Sequence, residues 1–189
     1  MSINFTLNIL GQQDYEVNRL PFIAAAEGYE LLPYLDTAAT PIPTIGIGFN
    51  LLDTILQPLS IKKIFYPNSS DIETQSYIGQ DSTYADQIIT ALNQSYNSND
   101  DLRNELDSIM QARADYWANA IANDPLVEHP EITRSTFSFS NLNEMEEIFS
   151  EAVDVYENRV DNWLSSIPPS NERLALLSLD YVGVLGASN

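Results

Sequence analysis

No cysteine occurs in the 189 residues, and histidine occurs once, as His129. These two scarcities exclude disulfides, thiolate metal sites, cysteine nucleophiles and any metal site built from several histidines. Bases are scarce as well: 8 Lys and Arg stand against 27 Asp and Glu, for a net charge of −19. Phosphate binding needs clustered Lys and Arg, so no non-specific affinity for nucleic acid or anionic membrane surfaces is expected, and any surface the chain touches should be neutral or cationic. No run of about 18 apolar residues is present, so no membrane insertion is expected. The opening "MSINFTLNIL" has neither a basic n-region nor a small-residue cleavage site, so no secretory signal peptide is expected in this chain.

What is there fits a folded chain. Apolar residues make up 44% of the sequence, enough for one substantial core or for two small lobes sharing a helix. Residues 1–17 read as a polar N-terminal arm. A helix is expected from Asn18, its cap, with Pro21 in the first turn and an apolar face of Phe22, Ile23 and Ala26 that stops at Gly28. The stretch 31–51 changes period: Tyr34, Pro41 and Pro43, and then "TIGIGFNL" predict an irregular β-hairpin.

Helices dominate afterwards. Tyr84, Ile88, Leu92 and Tyr96 recur every four residues after a cap at Asp81 or Ser82. Leu102, Leu106, Ile109, Arg113, Tyr116 and Ala120 form a second stripe, with Arg113 at its edge. A third helix opens with a capping box of Asn141 and Glu144 and carries Leu142, Met145, Ile148, Phe149, Ala152, Tyr156, Val160, Trp163, Leu164 and Ile167 on its apolar face. The last helix, "ERLALLSLDYVGVLG", is apolar nearly all round and should be buried between neighbours. Because it ends in "GASN" with none of the neighbours it needs following, the expectation is that the sequence continues in a longer parent protein.

"AEGYELLPYLDTAATPIPTIGIGFNL" holds the chemistry. Glycosidic cleavage needs one carboxyl kept protonated near neutral pH and a second kept ionised. Glu27 is in the last turn of a helix, near the negative end of the helix dipole, and packing against apolar residues would favour its protonated form further. Asp36, beside Thr37 in a turn, can stay solvated and ionised. Thr44 could hold a water through its hydroxyl.

Glu27-Gly28, Leu31, Tyr34, Asp36-Thr37 and Thr44-Ile45-Gly46-Ile47-Gly48 resemble the active-site segment of the phage T4-type lysozymes, muramidases that hydrolyse peptidoglycan. The segments "NLNEMEEIFSEAVDVYENRVDNWL" and "NERLALLSLDYVGVLG" resemble two later helices of that family, in the same order. The resemblance implies an α+β, lysozyme-like fold, mostly helical with one small β-hairpin lobe. An active-site helix and hairpin would occupy 18–51, a helical insertion 52–139 and lysozyme-like helices 140–186, within a domain of 18–189. It also implies a general acid at Glu27, and Asp36 and Thr44 as the residues that position and activate water. Tyr34, Gly46 and Gly48 would line the substrate. Neither metal nor cofactor is needed.

The chain departs from the family in four ways. The span from Asp36 to Thr44 is longer, Phe49 stands where many members have histidine, residues 52–139 are extended, and the strong acidity is unlike most lysozymes. The expected function is hydrolysis of the β-1,4 bond between N-acetylmuramic acid and N-acetylglucosamine, with inversion, by a protein secreted or delivered to the cell envelope. Peptidoglycan glycan strands are its expected partner, along with further domains of the parent protein. Two rivals fit the same residues: a non-catalytic lysozyme-fold module that binds glycan or protein within a larger toxin or effector, and a chitin-type glycosidase.

Other residues invite plainer readings. "GIG" lacks the third glycine and following helix of a phosphate loop. His129 is expected in a solvated loop. Tyr84, Tyr96, Tyr116, Trp117 and Trp163 are expected mainly in the core, and Asp100-Asp101 and Glu144-Glu146-Glu147 on solvated faces, with no glycine-turned calcium loop among them.

Overall fold

Gly28, with φ 72° and ψ −167°, ends the first helix, and its N–H closes the last turn onto the Ala24 carbonyl. That backbone region is open essentially to glycine alone, which is why the chain turns here and not elsewhere. The computed structural model describes residues 7–37, 39–124, 126, 134–164 and 167–181. The coarse α+β expectation holds: six helices and one three-stranded antiparallel sheet lie among the described residues. The chain divides into two compact units, Met1–Gly28 with Phe149–Asn189, and Tyr29–Ile148.

In the first unit, α1 (Gln12–Glu27) begins well before Asn18. Residues 12–17, expected in the arm, form its opening turns, and Pro21 lies inside the helix. Asn18 is not a cap; its amide donates to the Asp14 carbonyl one turn back. Pro21 cannot donate to the Val17 carbonyl, but Val17 is exposed and water can satisfy it. Ahead of the helix, Ile9 forms a β-bridge with Ser170, and the Leu10 N–H donates to the Pro169 carbonyl.

The last helix, α6 (Asn171–Tyr181), packs on α1. Its buried described residues are Arg173, Leu174, Leu177 and Ser178, while Leu179 is 41% exposed. The expected all-round burial is therefore corrected: α6 keeps one inward face. The charge on that face is neutralised, because Arg173 donates to the Tyr15 hydroxyl and to Glu157.

The second unit is built on the sheet β1 (Glu30–Leu35), β2 (Pro43–Gly46) and β3 (Phe49–Asn50), in that order. The expected hairpin thus gains a third strand. Of Gly46-Ile47-Gly48, expected as part of a strand, Gly46 ends β2 while Ile47 and Gly48 make the β2–β3 turn, with both glycines at positive φ (69° and 87°). Helices α2 (Leu56–Phe65), α3 (Asp81–Leu92) and α4 (Asn99–Asn123) follow. Ile45, Phe49, Leu51, Ile61, Phe65, Ile88, Leu102, Leu106 and Met110 are buried in this unit. The Phe49 ring meets Phe139 edge-on at 6.2 Å, so Phe49 serves packing.

Helix α5 (Leu142–Leu164) runs from the second unit into the first. Its capping box is present in a shifted form. The Asn141 side chain accepts from the Glu144 N–H, and the Glu144 carboxylate reaches back to the Ser140 N–H. Leu142, expected on the apolar face, is 47% exposed because it precedes the first inward turn, which begins at Met145. The side chains of Trp163 and Leu164, His129 and the "GASN" terminus lie outside the described residues.

Candidate functional site

Glu27 is the last residue of α1, as expected, and its side chain is exposed. The apolar packing expected around it is absent, because Ala25 and Ala26 are exposed too and only Ile23 of that turn is fully buried. The position at the end of the helix stands as expected, and the burial does not.

Asp36 follows β1 directly, and Thr44 is the second residue of β2. Both are fastened to Ile42. The Asp36 N–H donates to the Ile42 carbonyl at 3.1 Å, and the Ile42 N–H donates to Asp36 Oδ1 at 2.9 Å. Thr44 Oγ1 donates to the same Ile42 carbonyl at 2.9 Å. Asp36 is half-buried, whereas Thr44 is only 5% exposed. The hydroxyl proton of Thr44 is thus committed to the backbone, which leaves its oxygen only as an acceptor.

Tyr34 is half-buried and lies opposite Thr44 in the β1–β2 register. β1 is clamped from outside by α4: Asn99 Oδ1 accepts from the Leu35 N–H, and Arg103 Nε donates to the Pro33 carbonyl, both at 2.8 Å. The corner carrying Asp36 is therefore held by backbone bonds on two sides. Gly46 is buried, and a Cβ there would meet the Phe49 ring at 2.8 Å and Phe139 at 3.3 Å, so its smallness serves the aromatic packing beneath the turn. Gly48 is half-buried in the same turn.

The most densely bonded polar cluster was misread in the sequence. Asp81, expected as a helix cap, is fully buried. Arg113, placed at the edge of a stripe, is buried as well and grips the Asp81 carboxylate with two bonds of 2.8 Å. The Trp117 indole N–H and the Tyr66 hydroxyl donate to the same carboxylate, each at 2.8 Å. Burial raises the Tyr66 pKa, and Asp81 as acceptor raises it further. Every oxygen of this carboxylate is answered, which is the condition for burying an ion pair without leaving charge exposed to an apolar interior. Nothing local in the sequence signals it, since Asp81 and Arg113 are 32 positions apart.

In the acidic run 144–147 one residue departs from expectation: Glu144 is buried and paired with Arg134. Glu146 and Glu147 are exposed as expected, and Glu147 pairs from the surface with the buried Lys63. Among the described residues no group of three or more His, Cys, Asp or Glu is placed to hold a metal ion, and no described helix is long and apolar enough to cross a membrane. Compared with models of protein families, with curated proteins and with solved structures, the chain gives no match.

Proposed function

We propose that the chain is a peptidoglycan hydrolase of lysozyme type, cleaving the β-1,4 bond between N-acetylmuramic acid and N-acetylglucosamine. Glu27 donates a proton to the leaving oxygen, and Asp36 accepts one from the attacking water. Thr44 offers its oxygen as acceptor to that water, and Tyr34, Gly46 and Gly48 border the sugar. Inversion follows from direct attack by water, with no glycosyl-enzyme intermediate.

The supporting observation is the corner at Ile42, where two hydrogen-bonded anchors fix a half-buried aspartate beside a threonine in the order the resemblance requires. The helix end at Glu27 and the glycine-only turn at Gly28 agree with the same pattern. The test is reducing-sugar release from purified peptidoglycan and from chitin oligomers, by the chain and by Asp36→Asn. The proposal predicts release from peptidoglycan alone, with a rate falling by roughly two to four orders of magnitude in the variant. Release from chitin alone would move the substrate class.

A second reading, a non-catalytic module that binds glycan or protein, is favoured by the burial of Thr44 and the open setting of Glu27. It predicts binding to peptidoglycan without release of sugar, indifferent to Asp36→Asn.

A further inference from the structure

Between α3 and α4 lies a groove of about 350 Å³, lined by Thr83, Asp86, Gln87, Thr90, Gln94 and Glu105 over a floor of Ala91 and Ile109. The two helices run antiparallel, since the Tyr84 hydroxyl donates to the Ala112 carbonyl and its ring meets that of Tyr116 at 6.2 Å. With the short connection 93–98 joining the two helices, Gln94 and Glu105 fall at one end of the groove and Asp86, eight residues earlier on α3, toward the other. Tyr116 is 39% exposed.

The carboxylates of the groove are unanswered. Among the described residues neither Asp86 nor Glu105 forms a salt bridge. The basic side chains among the described residues are engaged elsewhere. Arg19, Lys63, Arg113, Arg134 and Arg173 are paired with other acids, while Lys62 and Arg103 donate to backbone carbonyls.

We propose that this groove binds a short basic peptide segment, with Lys or Arg side chains seated against Asp86 and Glu105. Charge complementarity selects the occupant: a chain of net charge −19 presents two unpaired acids with amide and hydroxyl side chains between them. The Ala91 and Ile109 floor suits the methylene stem of a lysine or arginine. Asp86 and Gln94 are about 12 Å apart along α3, which roughly four residues of extended peptide span. The segment therefore carries two basic residues about that far apart. This inference stands apart from the hydrolase reading, because none of Glu27, Asp36 and Thr44 lines the groove.

The experiment is fluorescence anisotropy with a labelled Lys-Ala-Ala-Ala-Lys peptide, its Glu-Ala-Ala-Ala-Glu counterpart and a neutral chitin oligomer, on the whole chain. Only the lysine peptide should bind. Asp86→Asn and Glu105→Gln should each weaken it about tenfold. Asp100→Asn with Asp101→Asn, which removes two exposed charges from the first turn of α4 outside the groove, should leave it unchanged; thermal melts check that each variant is folded. Equal weakening by the Asp100 and Asp101 pair would reduce the effect to overall charge and overturn the proposal. So would the absence of lysine-peptide binding, or binding of the neutral oligomer lost on Glu105→Gln.

Discussion

A single residue can be legible in kind and illegible in setting. Glu27 could be placed at a helix end because Gly28 follows it, and the backbone at Gly28 is one that glycine alone adopts readily. Its exposure could not be read, since "IAAA" is apolar whether or not anything covers it. Gly46 shows the converse: the motif marked it as important, and the reason proved to be the Phe49 and Phe139 rings packed against its bare Cα. Gly46→Ala should accordingly destabilise the protein by about 1–3 kcal/mol, measured as a lower midpoint in urea. An unchanged midpoint would mean that the turn relaxes freely and that the rings do not fix it.

For whole elements, the period of apolar residues located the helices better than it phased them. The stripe on α4 was expected through Leu102, Leu106, Ile109, Arg113, Tyr116 and Ala120; the buried line keeps Leu102, Leu106 and Arg113 but runs through Met110 and Trp117 in place of Ile109 and Tyr116. Both lines satisfy a 3.6-residue repeat after Leu106. The choice is made by the partner, because Trp117 reaches Asp81 with its indole N–H and Arg113 reaches it with its guanidinium. The beginning of α1 was missed for a related reason: a proline suggests a first turn, but packing of Tyr15 inside the unit carries the helix back to Gln12. Removing one member of the buried pair, as in Asp81→Asn, leaves the Arg113 charge unanswered and should cost about 3–5 kcal/mol. A loss under about 1 kcal/mol in chemical denaturation would place the pair among weak surface bridges instead.

The charge and burial pattern of the whole molecule governs its response to pH. Burial pushes the Tyr77 hydroxyl up to about 12, with the Asp86 and Asp81 charges adding to it, and burial raises Tyr15 and Tyr66 too. These groups titrate later in the folded than in the unfolded chain. Their contribution to stability is therefore complete below about pH 10 and lost as pH rises through about 12. Absorbance of tyrosinate at alkaline pH should show some of the 10 tyrosines ionising only together with loss of helical circular dichroism. Titration of all of them near pH 10 with the helices intact would contradict the burial described. On the acid side, the Asn8 N–H holds Glu172 below its ordinary value of 4.5, so the tie between the N-terminal segment and α6 is present above that value and weakens as pH falls below it.

The α+β class was thus readable from composition and period, and composition left open one core or two small lobes sharing a helix; that α5 is the helix crossing from one unit to the other was not readable. The functional claim rests on Glu27 as the proton donor. It is tested most directly by the rate of reducing-sugar release from purified peptidoglycan by the chain and by Glu27→Gln, each checked for an unchanged thermal melt. The account predicts release by the parent chain and a fall of roughly two to four orders of magnitude in the variant; equal rates from the two proteins, or no release from either, would contradict it.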